Sequence, residues 1–356
     1  MTSRGAGLEQ SPIRRDWLAL HKEDALSPDL PVIDAHHHLY VRHGHRYLID
    51  EYVADLSSGH RVVGTVIVQA RSMLRASGPE ALRPIGETEF ANGIAAMAAS
   101  GCYGETAVGA GIVGYADLRL GDAVTSVLEA HVAAAPARFR GVRQISVWDP
   151  DPSLINPAYA VPADLLANST FRLGFARLAD LGLTFDAWLY FHQLPHLVDL
   201  ARSFPNVPIV LDHCGGILGI GSYASSQADV YNRWRHGLTE LATCPNVMLK
   251  LGGLGMKIAG FDVSNRQRPP TSAELAEHWR PWIETCLELF GAQRCMYESN
   301  FPVDSASYAY GVGLNAFKRL FTQGSRSEQA ALLAGSAARF YRLDVPVGAL
   351  DRAAGP

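Results

Sequence analysis

The chain has 356 residues, 48% of them apolar and 19% charged, a balance that excludes a disordered chain, a collagen and a coiled coil. Lys and Arg number 31 against 35 Asp and Glu, so the net charge is −4 and no basic excess exists to drive nucleic-acid binding through phosphates. No run approaches the about 18 consecutive apolar residues of a membrane span, so neither a membrane nor a nucleic acid is expected as partner.

Residues 1–30 are polar, with charge clusters at Arg14-Arg15 and Lys22-Glu23-Asp24, and read as an N-terminal extension packed on the outside. The first residues hold no apolar h-region, so no signal peptide is expected. The five Cys (Cys102, Cys214, Cys244, Cys286, Cys295) are odd in number, widely spaced and free of any CxxC. They read as free thiols in a reducing compartment, which implies a cytoplasmic protein.

From residue 31 onward, short Val/Ile-rich runs alternate with helical patterns. Eight runs are predicted as strands: 32–35, 62–69, 108–114, 141–147, 183–190, 207–212, 247–251 and 294–298. Near-continuous apolar runs of this length suit strands buried on both faces. Helices are predicted over 88–100 (with Thr88 as a candidate cap), 122–134, 171–181, 194–204, 228–243, 271–290 and 327–341. The 271–290 segment opens on a capping-box pattern, Thr271 with Glu274, and ends at Gly291.

Eight strands alternating with helices predict an α/β fold, a (β/α)8 TIM barrel, rather than an open doubly wound sheet, and no GxGxxG follows the first strand. The barrel is taken as one domain over 31–345, with 346–356 as a tail. Segments 148–169, 214–227, 252–270 and 299–315 read as long loops on the face where such a barrel builds its site.

The sharpest chemical signal is Asp34-Ala35-His36-His37-His38, an apolar strand ending in Asp-x-His-x-His. Residues two apart share a strand face, so His36 and His38 are predicted to enter the barrel mouth together, with Asp34 beneath them. Two imidazoles on one face are half of a divalent metal site. His192 and His213 stand at the ends of the fifth and sixth strands. All four His converge on one mouth, which suits a metal site or a metal-free acid/base cluster equally well.

Glu298 and Asn300 are two apart at the end of the eighth strand, and Asp304 follows Pro302. A carboxylate here can bind metal or activate water. Arg143 and Lys250 lie inside apolar strands, where a cation is costly unless paired. Each is a candidate to hold a substrate anion or a developing oxyanion, or else to ion-pair with Glu298 or Asp212. Gln69, Arg71 and Glu87 are weaker mouth candidates. Trp148, Trp188, Tyr190 and Phe191 near strand ends would suit a flat ring or belong to the core.

At these residues the chain resembles the amidohydrolase-2 branch of the amidohydrolase superfamily, TIM-barrel metal-dependent hydrolases. Within it the chain is similar to the sugar-lactone and pyrone-dicarboxylate lactonase group. The motifs are Asp34-Ala-His36-His37-His38, Phe139-Arg-Gly-Val-Arg143-Gln, His192-Gln-Leu-Pro, Val210-Leu-Asp-His213-Cys-Gly and Met248-Leu-Lys250-Leu-Gly-Gly, spread from about Pro31 to Tyr341. The resemblance implies a site of His36, His38, His192 and His213 that binds one divalent metal or works without one. For this chain His36, His38 and His213 are expected as metal ligands, with zinc first, and His192 as proton shuttle or substrate-orienting group. The family's Gly-Ser-Asp reads Glu298-Ser299-Asn300 here, so the usual base is replaced by an amide. Glu298 is expected to take its role, with Asp304 as second choice. Arg143, Lys250, Gln69 and Tyr190 are expected to contact a small, anionic substrate, and a homodimer is expected because barrels of this type often pair. The expected reaction is hydrolysis of a lactone or related C–O or C–N bond. The alternative in the same branch is decarboxylation or hydration of an aromatic or unsaturated acid.

Overall fold

A computed structural model describes residues 12–42, 45–263 and 265–345. Eight parallel strands follow one another in chain order: Val32–His37, Val62–Val68, Ala107–Gly114, Phe139–Arg143, Thr184–Ala187, Ile209–Leu211, Val247–Leu251 and Cys295–Tyr297. The ring closes through the backbone beyond the eighth strand. Asn300 N–H donates to the His36 carbonyl at 2.9 Å, and His38 N–H donates to that of Phe301 at 2.7 Å. The result is the expected (β/α)8 TIM barrel.

Two apolar layers hold it. The strands' outer faces pack on the surrounding helices, with Trp234, Trp279 and Phe175 fully buried between them. A smaller cluster joins Ile33, Val66, Val113, Val210 and Met296 to Ala334, Ala337 and Tyr341 of the C-terminal helical segment. Burying large side chains of this kind stabilises by about 1.5–3 kcal/mol each.

Most helices fall within two residues of their expected bounds. Ser272–Phe290 starts with the predicted capping box, Glu274 N–H donating to Thr271 Oγ1 and Thr271 N–H to Glu274 Oε2. Thr88, by contrast, is no cap. The helix begins at Ile85, and the Thr88 hydroxyl donates to His131 Nδ1 at 2.8 Å. The expected 327–341 helix is interrupted by one wider turn at 331–335. Sequence reasoning missed a short hairpin (Tyr40–Arg42 with His45–Tyr47), the helix Ile49–Leu56 and the helix Tyr310–Phe321. The fourth strand is displaced to Phe139–Arg143. Residues 144–147 are buried but leave the sheet, with the Gln144 side chain accepting from Leu118 N–H.

The described part of the N-terminal segment runs over the outside of the barrel. Glu23 accepts from Ser272 N–H, and Lys318 donates to the carbonyls of Leu26 and Ser27. The expected tail 346–356 and residues 1–11 lie outside the described residues. Among the described residues no helix is long and apolar enough to cross a membrane.

Candidate active site

The first strand delivers His36 by breaking its own alternation. A register shift lies between Asp34 and His37. Asp34 therefore does not lie beneath the imidazoles as expected. Its carboxylate accepts from the hydroxyls of Tyr52 and Tyr310 and from Ser299 N–H, which ties the first strand to the segment after the eighth. His37 stacks on Tyr52 and bonds Thr65. His36 and His38 do come together, their Nε2 atoms 3.2 Å apart. His38 Nδ1 faces the Val68 carbonyl at 2.8 Å. A carbonyl only accepts, so Nδ1 carries the proton and the His38 Nε2 lone pair is bare.

The sixth strand ends at Leu211, and the chain then turns sharply, with positive φ at His213, Cys214, Gly215 and Gly216. This turn aims His213 back into the mouth. Its N–H and its Nδ1 both meet Glu298 Oε1, at 2.9 and 2.7 Å. Glu298 Oε2 lies 3.1 Å from His36 Nδ1 and has no hydrogen-bond partner although fully buried. Gly252 and Gly253 make the room: a Cβ on Gly252 would stand 2.3 Å from Glu298 Cγ, and one on Gly253 2.5 Å from His213 Cβ.

His36, His213 and Glu298 thus form one buried group whose ligand atoms lie within 4.8 Å of one another. Burial, then the charge of Lys250, holds His36 far below its ordinary pKa, and burial takes His213 down to about 4. Both are neutral imidazoles at pH 7, the form that binds metal. Burial and the neighbouring Asp212 push Glu298 well up.

Two cations answer the acids of this mouth. Lys250 Nζ lies 2.6 Å from Asp186 Oδ2, 3.0 Å from Asp212 Oδ1 and 3.2 Å from His36 Nδ1. Burial disfavours its charge, but Asp186 and Asp212 outweigh that and raise its pKa. Arg143 donates to the Gln69 carbonyl at 2.6 Å and lies 3.1 Å from His36 Nε2 and 3.6 Å from Asp212. Lys250 is fully buried and Arg143 nearly so. Lys250 is thus committed to carboxylates of its own chain, the ion-pair alternative of the sequence reading. Among the described residues these two cations answer Asp186 and Asp212, yet Glu298 Oε2 and both Asp212 oxygens are buried without a hydrogen-bond partner, so the donor set fits a further positive ion.

The remaining expected residues stand around this centre. Asn300, at φ +55°, donates from Nδ2 to Asp304 Oδ1 at 2.8 Å. Asp304 Oδ2 accepts from Tyr308 and from Gly255 N–H, yet burial still lifts its pKa to about 6. His192 stands apart from the three-residue group. Its Nε2 pairs with Asp149 at 2.9 Å, and Tyr223 donates to the same carboxylate. Tyr190 donates to the Leu154 carbonyl, anchoring the 148–169 loop. Gln69 donates to the Arg143 carbonyl at 3.5 Å, and its Oε1 is buried without a partner.

Sequence reasoning missed Asp186, Tyr341 and Asp149. Asp186 carried a readable signal, a lone carboxylate inside an apolar strand, the same oddity that singled out Lys250. Tyr341, which donates to Asp186 at 2.7 Å from the C-terminal helix, carried none. Trp188 sits edge-on to His213 with ring centroids 4.6 Å apart. A cavity of about 570 Å³ lies elsewhere, between 13–24 and 309–312, and none of the candidate catalytic side chains lines it.

Residues 33–343 match the family model described as amidohydrolase. The chain is 31% identical over 337 residues to the uncharacterized protein y4mH of Sinorhizobium fredii, which covers 88% of this chain and 99% of that one. It is 29% identical over 252 residues to an L-fucono-1,5-lactonase of Burkholderia ambifaria, covering 67% of this chain and 72% of the relative. Among solved structures, a zinc-bound amidohydrolase from Burkholderia multivorans superposes with a TM-score of 0.66 at 24% identity, over 88% of this chain and 99% of that one. A manganese complex of a 5-carboxyvanillate decarboxylase from Novosphingobium aromaticivorans does so with 0.54 at 10% identity, over 89% and 97%. The chain belongs to the amidohydrolase family.

Proposed function

We propose that this protein is a lactonase, a hydrolase that opens a small cyclic ester at the C-terminal mouth of its barrel. The observation that carries the reading is the buried convergence of His36, His213 and Glu298 on one point, in a chain related to L-fucono-1,5-lactonases. His36, His213 and Glu298 are the residues that would hold a divalent cation, zinc first given two imidazoles and one carboxylate. Such an ion supplies Lewis-acid polarisation of the ester carbonyl and a lowered pKa for water.

The chain's own groups do the rest. Glu298 holds the His213 ring and main chain through Oε1, so it orients one imidazole while sharing the site with the other. Asp304, held near pH 6 and within electrostatic reach of His213, is the carboxylate suited to accept and return a proton at neutral pH. Arg143 holds the outer side of His36 Nε2 and can steady negative charge on the opening ester. His192, paired with Asp149 and only 13% exposed, stands on the rim as a substrate-orienting group.

The test is elemental analysis of the purified protein, followed by a pH-indicator screen of sugar and dicarboxylate lactones. The expected result is about one divalent ion per chain and ring opening that H36A and E298Q abolish together with the metal. Release of carbon dioxide from hydroxybenzoate-type acids, with no lactone opened, overturns the reading.

A further inference from the structure

Three guanidinium groups gather where the second barrel strand ends. Arg143 donates to the Gln69 carbonyl, Arg42 donates to the Ala70 carbonyl at 2.8 Å, and Arg71 comes next in the chain. The charge of Arg143 is answered inside the mouth by Asp212. Arg42 and Arg71 are different. Among the described residues neither is ion-paired, and their hydrogen bonds go to neutral oxygens. Arg42 Nη1 also donates to the Tyr159 hydroxyl at 2.8 Å, and Arg71 Nη1 donates to the Ala158 carbonyl at 2.9 Å. Arg71 Nε is buried without a partner.

Aromatic rings fix both groups. The Arg71 guanidinium lies over Tyr115 and Tyr159, 4.4 and 4.7 Å from their centroids, and Arg42 lies over Tyr40 at 4.3 Å. Stacking sets each plane while leaving edge N–H donors free, which is how a guanidinium is prepared for a carboxylate. The turn that carries Arg71 is held in a costly shape, with φ +53° at Arg71 and +55° at Met73. Glu87 holds it there by accepting from the N–H groups of Ala70 and Ser72. The pair also adjoins the mouth: the Ala70 carbonyl that Arg42 holds follows the Gln69 carbonyl held by Arg143 and the Val68 carbonyl that faces His38. Two stacked guanidinium groups without an ion-pair partner among the described residues thus present edge donors suited to an anion.

We propose that Arg42 and Arg71 form a carboxylate subsite at the rim of the barrel mouth, so that the preferred substrate carries a free carboxylate away from the ester that is opened. This rests on the lactonase reading for the reaction, but not for the binding.

The probe is a matched pair, glutarate and its neutral diamide glutaramide, titrated calorimetrically into the metal-loaded protein. Wild type is expected to bind glutarate tighter by about 10-fold or more, the scale of one charge-assisted pair. R42Q/R71Q is expected to erase that preference, and R42Q and R71Q singly to reduce it. Equal affinity for the two probes on wild type, or an unchanged preference in R42Q/R71Q, overturns the subsite. A parallel kinetic arm compares a lactone bearing a carboxylate with its methyl ester, reading kcat and KM separately. The subsite predicts a lower KM for the charged lactone that R42Q/R71Q removes. Lactones opened without regard to charge sink the subsite and leave the lactonase reading standing. A glutarate preference with no lactone opened does the reverse.

Discussion

The Nδ2 amide of Asn300 donates to Oδ1 of Asp304 at 2.8 Å, which sets a buried carboxylate against the amide that follows the eighth strand. Asn300 occupies the place where the resemblance called for a carboxylate, and an amide takes no proton at neutral pH. Four residues on, Asp304 supplies one. Its pKa of about 6 is the outcome of burial, opposed by the hydrogen bonds from Tyr308, Gly255 and Asn300 and by the neighbouring His213.

Asp304 is therefore expected to set a pH limb in the proposed reaction. Its ordinary value is 3.8 and its value here about 6, so the proton leaves over pH 5–7. If Asp304 accepts a proton in the reaction, kcat/KM rises with pH through about 6 and levels off above 7. D304N should lose activity by on the order of 10²–10⁴-fold, and its residual rate should lack that limb. N300A should keep a limb but move it upward, because a bond to the ionised form is gone. The stability term has its own sign. A raised carboxylate pKa favours folding below pH 4 and loses that contribution as pH climbs through 6. Activity and stability should thus run in opposite directions across this window. An acidic limb unchanged in D304N excludes the residue as the proton acceptor.

A second prediction concerns space rather than charge. G253A places a methyl 2.5 Å from His213 Cβ on a backbone at φ +67°. The ring of His213 has to move, and it takes with it the contact to Glu298. Displacements of about 1 Å in a positioned group cost around 10²-fold in rate. G253A should therefore lose metal affinity and activity while its fold, read by circular dichroism, persists. Full metal occupancy in G253A would show that His213 is no ligand.

The barrel was legible because its information is periodic: eight buried runs, separated by helical patterns, admit few closures. The convergence of His36, His38 and His213 was legible because strand ends meet at one mouth. Asp34 was misplaced for a local reason, since a register irregularity inside the first strand reverses the side that strict alternation assigns. Glu298, expected as the base, lies beside His36 and His213 in one buried group, and His38 stands against His36 with its Nδ1 turned to the Val68 carbonyl. The separation of His192 from that group follows from loop geometry, and its pairing with Asp149 spans 43 residues. No spacing rule reaches that far. The same holds for Thr88, whose hydroxyl finds His131 instead of its own helix end.

Glu87 gives a third prediction. Burial lifts it to about 7, tempered by the two N–H groups it accepts. Its raised pKa means that the folded state gains from the proton, so this contribution fades as pH rises from 4.5 through 7. E87Q keeps an acceptor oxygen and removes the titration. Thermal melts should therefore show E87Q gaining on wild type between pH 6 and 8. E87A leaves the Ala70 and Ser72 N–H groups buried without acceptors, at a cost of about 2–4 kcal/mol. It should also blunt the discrimination between glutarate and glutaramide, because Arg71 loses the turn that presents it. Parallel pH dependence of wild type and E87Q would remove Glu87 from this role.

Lys250 and Tyr341 reach Asp186 from different elements, one from the seventh strand at 2.6 Å and the other from the helix Ser336–Tyr341 at 2.7 Å. Both bonds end on Oδ2, while Oδ1 has no partner. Removing Lys250 leaves Asp186 and Asp212 buried without their cation, and K250M should cost about 3–5 kcal/mol. Y341F removes one hydrogen bond to a charged group, about 1.5–3 kcal/mol. The two effects should not add. Without Lys250 the Tyr341 hydroxyl no longer serves an ion pair, so the second loss is smaller in the double variant. A urea-denaturation cycle over wild type, K250M, Y341F and K250M/Y341F measures the coupling, expected at about 1 kcal/mol. Strict additivity would mean that the helix closing the barrel and the cation within it are energetically separate. The mouth would then owe nothing to the helix Ser336–Tyr341.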